Sequence, residues 1–306
     1  MTSSALLNAA IYAVHLLVAP FLLVGFIRMV KARLQNRQGP SVLQPLFDVV
    51  KMLRKGETVS DTTTWVFRAA PVVSAAAMIA VALMIPWIGL AAPVPGDLLL
   101  VVYLIALSKF ATGLAALDTG SAFGALGASR EAAVSIQAEP ALVLGLGALA
   151  AHAHSTSFAA MLATGHAMST LSVVAPLALV AFWLSAMAEL ARMPIDDPTT
   201  HLELTMIHEA LLLENSGRNL AIAEYAAGLK MVVMFGLMGQ ILLLTWPSMS
   251  PWLTYLASVG AILAAGALVA LTESVAVKLR WRRIPNLLSF GLASGVLACL
   301  IVALKG

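Results

Sequence analysis

An all-α, polytopic membrane protein with eight transmembrane helices is what this sequence predicts, and three observations predict it. Of its 306 residues, 60% are hydrophobic and only 11% charged, with a mean hydropathy of +0.93. That is too apolar for a water-soluble globule of this length. The apolar residues gather into eight runs, each near the roughly 20 residues of helix that cross a bilayer. The basic residues sort to alternate connecting loops, as the positive-inside rule requires of a cytoplasmic face.

The predicted spans lie near 5–27, 67–90, 98–117, 138–161, 170–190, 222–246, 252–276 and 286–304. The first run has no basic stretch ahead of it and is followed by Arg28, Lys31, Arg33 and Arg37. It therefore reads as a retained helix with its N-terminus outside, and not as a cleaved signal peptide. Loop one adds Lys51, Arg54, Lys55 and Arg68. Loop three adds Arg130, loop five Arg192 and Arg218, and loop seven Lys278, Arg280, Arg282 and Arg283. Fifteen of the 18 bases thus share one side, which places both termini outside and the odd-numbered loops in the cytoplasm. The basic balance needs no nucleic acid to explain it. No internal repeat is visible, and 1–306 reads as one integral membrane domain.

Within loop one, Gln44, Asp48, Lys51 and Lys55 recur at helical spacing against Val42, Leu43, Leu46, Phe47, Val49, Val50 and Leu53. This pattern predicts a cytoplasmic amphipathic helix that either lies on the lipid surface or floors a soluble subunit. The one cysteine, Cys299, sits in an apolar run. One thiol forms no internal disulfide and cannot hold an iron–sulfur cluster, so no cofactor is expected in this chain.

The richest polar stretch is 189–217, between the fifth and sixth spans. It holds Glu189, Asp196, Asp197, Glu203, Glu209 and Glu214, with Glu224 just beyond; the nearby bases are Arg192 and Arg218. Carboxylates at a membrane boundary are costly and mark proton routes or binding sites. Pro198 and the sequence Thr200-His201-Leu202-Glu203 fit a helix start with a capping box, so Glu203 is either a capping residue or a proton carrier. If the helix continues unbroken, Glu203 and Glu214 share a face, being close to three turns apart. Lys109 and Lys230 belong either to a relay or to helix ends from which they snorkel. Glu273 is placed to pair with Lys278 or Arg280. His152, His154 and His166 lie in an outside loop without a third ligand at metal spacing. His201, His208 and Glu209 do not make a His-Glu-x-x-His motif. No metal site, phosphate-binding glycine loop or catalytic nucleophile is expected.

Three spaced blocks carry a family resemblance. Ala188-Glu189-Leu190-Ala191-Arg192-Met193-Pro194-Ile195-Asp196, then Glu203-Leu204 and Glu214-Asn215-Ser216-Gly217, resemble the acidic loop of the membrane subunit that links the two arms of respiratory complex I. Arg37-Gln38-Gly39-Pro40-Ser41 with Leu43-Gln44-Pro45 and Asp48 resembles its first-loop signature. Leu126-Gly127-Ala128-Ser129-Arg130, followed by Glu139, resembles its third-loop pattern. The phrase HLELTMIHEALLLENSGR is more similar to the corresponding subunits of formate hydrogenlyase and hydrogenase-4, membrane-bound nickel–iron hydrogenases.

This resemblance implies a subunit without its own catalytic centre, in the cytoplasmic membrane of a bacterium or archaeon. Its implied partners are hydrogenase large and small subunits, an iron–sulfur electron-transfer subunit and antiporter-like membrane subunits; the nickel–iron centre and clusters would reside in the partners. Glu139, Glu189, Glu203 and Glu214 are the implied proton path, with Asp196 either a carrier or a loop-fixing acceptor. Arg130, Arg192, Arg218, Lys109 and Lys230 are charge partners. Arg37, Gly39, Pro40, Gln44 and Asp48 form a docking floor. Asp197-Pro198-Thr199-Thr200 stands where complex I carries an acidic cluster, and loop one is shorter, which favours the hydrogenase branch over a quinone-reducing one. A stand-alone secondary transporter is disfavoured because no paired, interrupted helices appear.

Overall fold

A computed structural model of the chain describes residues 3–163, 171–197, 206–246 and 249–305. The apolar runs of the sequence satisfy their backbone hydrogen bonds internally, as hydrocarbon demands, and so become helices. In order these are α1 (Ser3–Leu34), α2 (Gln44–Arg54), α3 (Trp65–Met84), α4 (Leu98–Asp118), α5 (Ala122–His152), α6 (Phe158–Ala163), α7 (Leu171–Glu189), α8 (His208–Leu212), α9 (Gly217–Leu243), α10 (Pro251–Val275) and α11 (Ile284–Lys305). A 3-10 turn, Trp281–Arg283, leads into α11. Among the described residues eight helices are long and apolar enough to span a bilayer, and the protein is a multi-pass membrane protein. Their order is the order predicted.

The fourth span differs from expectation. It begins at Ala122 and not near 138, leaving only 119–121 as the connection from α4. Its first half, AFGALGASREAAVSIQ, has too little hydropathy to read as a span. Small residues instead let it press on its neighbours: a Cβ on Gly127 would come within 2.8 Å of the Ala210 Cβ on α8. Arg130, expected in loop three, therefore lies on the same helix as Glu139.

α9 is the most enclosed span, packing against α1, α2, α3, α7 and α10. On one side α5, α7 and α11 form a second packed group. Loop one is laid close against α1, since a Cβ on Gly25 would fall 1.9 Å from the Val42 carbonyl oxygen. Only glycine admits that approach. α2 then runs along α9, with Phe47, Val50 and Leu53 exposed. α3 starts on a double cap. The Thr64 hydroxyl accepts from the Val66 N–H at 3.2 Å, and Asp118 of α4 accepts from the N–H groups of Thr64 and Phe67 at 2.8 and 3.2 Å.

Candidate functional site: a buried charge cluster at the loop-one end

Three of the carboxylates buried where the helices meet the acidic loop are held by donors, each by a different set. Glu189 closes α7, and its side chain is 1% exposed. Its Oε1 takes a short hydrogen bond from Lys109 Nζ of α4, and its Oε2 one of 2.7 Å from Lys230 Nζ of α9. Lys230 also donates to the Glu189 carbonyl oxygen at 3.0 Å. Neither lysine snorkels; both point into the bundle and are held there. Lys109 extends the cluster to α5, donating to Ser135 Oγ at 2.8 Å and reaching Glu139 Oε1 at 3.4 Å.

Glu273 of α10 is the second centre. It accepts from Lys31 Nζ of α1 at 3.1 Å and from Arg192 Nη1 at 3.0 Å. The expected pairing with Lys278 or Arg280 is not formed, because the chain after α7 folds back and delivers Arg192 first. α7 ends with Ala191 in the left-handed region, φ +48, and the Arg192 N–H returns to the Met187 carbonyl at 2.9 Å. This is a helix stop that ordinarily uses glycine. Arg192 is thus a partner of Glu273 and not of the neighbouring Glu189.

Asp196 is the third. Lys278 Nζ donates to it at 2.5 Å, and the backbone N–H groups of Asp197, Ile207 and His208 donate at 3.0, 3.3 and 3.1 Å. With its acceptor positions spent on backbone, Asp196 has the geometry of a loop-fixing acceptor. Arg130 Nη1 donates to the Met206 carbonyl at 2.9 Å, holding the same loop from α5.

The remaining sequence candidates scatter. Glu203, His201 and the capping sequence lie outside the described residues, as does His166. The unbroken helix that would set Glu203 and Glu214 on one face does not form, since α8 covers only His208–Leu212 and Glu214 falls in the turn after it. Glu214 and Arg218 are exposed. Arg37, Gly39 and Pro40 are exposed too. Gln44 Nε2 donates to Asp48 Oδ1 at 2.8 Å, and Asp48 lies 3.8 Å from Arg28. His152 ends α5, and among the described residues no group of three His, Cys, Asp or Glu side chains is placed to hold a metal.

The sequence reading missed Glu131. It is buried on α5 and faces a cavity of about 210 Å³ that Lys31, Lys109, Glu189, Lys230 and Glu273 also line. The signal was present: Gly127, Glu131 and Ser135 recur every four residues, so the Gly127 face that packs against α8 also carries the acid. His208 fronts the same cavity. Burial pushes its imidazole below the ordinary value of 6.5, against the opposing pull of Glu224, Glu209 and Asp196. The cavity is roomy enough for several waters, each taking roughly 30 Å³, and Asn215 at its edge has a buried Oδ1 without a partner.

A family model described as NADH dehydrogenase matches residues 7–304. The chain belongs to this family. Among curated relatives in it, formate hydrogenlyase subunit 4 of Escherichia coli is 37% identical over 220 residues, covering 71% of this chain and 70% of that one. Hydrogenase-4 component C of Escherichia coli is 37% identical over 230 residues, covering 74% and 71%. An NADH-quinone oxidoreductase subunit of Syntrophobacter fumaroxidans is 32% identical over 255 residues, covering 77% and 75%. The fold matches a chain in the structure of the membrane-bound sulfane sulfur reductase, an archaeal respiratory membrane complex. Its TM-score is 0.83 with 18% identity, over 98% of this chain and 99% of that one.

Proposed function

We propose that the chain is the membrane linker of a multi-subunit nickel–iron hydrogenase, seating the soluble redox subunits and passing protons toward antiporter-like membrane subunits. The observation that carries the reading is the Glu189 clamp: a carboxylate gripped by lysines from two other spans, beside a cavity at the loop-one end. Such a costly arrangement in a membrane protein serves charge movement better than anchorage. The similarity to formate hydrogenlyase subunit 4 and hydrogenase-4 component C selects hydrogenase as the parent complex.

In this reading the loop-one end is cytoplasmic and both termini are outside. Exposed Arg37, Gly39 and Pro40, together with α2, form the seat of the soluble arm. The nickel–iron centre and iron–sulfur clusters belong to the partners, because a lone Cys299 thiol cannot supply their ligands. Glu189, Glu139 and the cavity belong to the proton path; Glu203 and Glu214 join it from the acidic loop.

Purification through this subunit tests the reading. It should bring down a nickel–iron large subunit, an iron–sulfur small subunit and antiporter-like subunits, in a preparation that evolves hydrogen from a reduced dye. A second reading, the quinone-chamber subunit of a complex I-type enzyme, is favoured by the similarity to the NADH-quinone oxidoreductase subunit of Syntrophobacter fumaroxidans. Recovery of a quinone-reducing NADH complex without hydrogenase activity would establish it instead. A reporter cysteine at Gln35 should label only after permeabilisation, and one at Ser155 from outside.

A further inference from the structure

Glu131 has no place in the clamp, yet it is buried beside it. Lys109 and Lys230 spend their charge on Glu189, and Lys109 also reaches Glu139. Among the described residues no cation comes within ion-pairing distance of Glu131. Its electrostatic neighbours are Lys109, Glu189, Lys230 and Asp196, from α4, α7, α9 and the loop after α7. Its own helix presents Glu139 to the same lysine. The two nearer lysines are engaged by Glu189 and Glu139, and of the other cations of this cavity wall, Lys31 and Arg192 are both drawn to Glu273. A further negative charge at Glu131, buried and without an ion-pair partner of its own, is disfavoured.

We propose that Glu131 is the proton-loading acid of the cluster: it holds a proton at rest and reloads Lys109 across the water-sized cavity that both residues line. The proposal rests on the proton-path reading above. The transfers balance. Lys109 breaks an N–H bond and gives its proton to the Glu139 carboxylate, forming a carboxylic acid and leaving a neutral amine. Glu131 breaks its O–H bond and the proton passes by cavity water to the Lys109 amine. The Glu131 carboxylate regains a proton from hydronium that reaches the cavity, which is left behind as neutral water. Glu139 then passes its proton to a water or carboxylate of the membrane subunit beside α5, so one proton has moved from the cavity to that acceptor and Glu131, Lys109 and Glu139 are back in their starting charge states.

Infrared spectroscopy of the purified complex in nanodiscs tests this directly. The wild type should show the C=O stretch of a protonated carboxyl at neutral pH, shifted in deuterium oxide. Glu131→Gln should abolish that band, and Glu131→Asp should move it while keeping it. The number of protons translocated per hydrogen evolved should fall at least several-fold in Glu131→Gln and be largely rescued in Glu131→Asp. A band unchanged in both variants overturns the proposal, as does full translocation in Glu131→Gln. If Glu131→Gln does not assemble, the band position in Glu131→Asp decides alone. The band does not depend on which complex the chain serves, so a preparation that lacks hydrogenase activity but shows the Glu131 band would refute the parent assignment and leave the loading acid standing.

Discussion

The two ends of the bundle use polar groups in opposite ways. At the loop-one end, the buried charged residues Glu131, Glu189, Asp196, Lys230 and Glu273 gather in one region, and all but Glu131 are tied by ion pairs between distant parts of the chain. At the far end the buried polar groups among the described residues are neutral. Tyr12 Oη donates to the Ile85 and Leu90 carbonyls at 3.2 and 3.0 Å, and Trp87 Nε1 donates to the Ala82 carbonyl at 2.9 Å. Gln240 Nε2 donates to Ser258 Oγ at 2.7 Å. Tyr12 and His15 pack edge-on against the Trp87 ring. The far end is closed by aromatic packing and dipoles; the loop-one end holds charge. The lateral limit of that charge is Glu139, whose side chain is 42% exposed on the flank of α5. In the proposed proton path, Glu139 is therefore the exit, and a proton leaves the cluster sideways at α5 rather than straight through this chain.

The largest expected effect comes from breaking one charge partner. Lys230→Met leaves Glu189 with an unanswered oxygen and should cost about 3–5 kcal/mol, read as a fall in the unfolding midpoint of the detergent-solubilised subunit. Gln240→Leu at the far end removes a neutral hydrogen bond, and the Ser258 hydroxyl keeps the Thr254 carbonyl as acceptor. That should cost no more than about 1 kcal/mol. Equal losses in the two variants would erase the contrast between the ends.

Trp87→Phe sharpens the far-end half. The ring keeps most of its apolar contact but leaves the Ala82 carbonyl without its donor, so a loss of about 1–2 kcal/mol is expected in the same measurement. A much larger loss would mean that the indole fills space that a benzyl ring cannot.

The pH response should also be confined to the loop-one end. His208 is depressed below 6.5 in the folded chain, so the unfolded chain binds the proton first as pH falls. Its contribution is fully present above 6.5 and is lost as pH drops from there through the folded value. Amide exchange in α8 should accelerate over that window in the wild type and lose the dependence in His208→Asn. Exchange in the helices around Trp87 should stay flat.

The smallest effect should come from Ala191→Gly. A left-handed alanine costs roughly 1–2 kcal/mol, and glycine returns part of that as backbone freedom in the unfolded chain. A stabilisation of about 0.5–1 kcal/mol should appear as a higher midpoint. A loss instead would show that the Ala191 methyl packs usefully beneath Arg192.

Hydropathy and sorted bases sufficed for the number and order of spans, because a bilayer forces long apolar runs into helices. They failed at α5, where the stretch around Arg130 is rich in small residues and its burial is settled by neighbours rather than by its own hydropathy. The acidic loop was legible as a place, but not its pairings. Glu189 meets Lys109 from 80 residues away, and Glu273 meets Arg192 from 81. No periodicity encodes such contacts. Nor does any encode the three backbone donors that give Asp196 the geometry of a loop-fixing acceptor.

One small contact ties loop one to the acidic loop. The Thr58 N–H donates to Ser216 Oγ at 2.9 Å, and the same hydroxyl donates back to the Thr58 carbonyl at 2.8 Å. Beside it Gly217, at φ +50, admits the Gly56 carbonyl so closely that a Cβ would meet it at 2.8 Å. Mechanically this is a clutch. The segment leaving α2 and the start of α9 are engaged by bonds worth about 1 kcal/mol each, stiff enough to transmit a small displacement and weak enough to slip under a large one. A load pressed on loop one has through this contact a direct route to the foot of α9, the helix that carries Lys230.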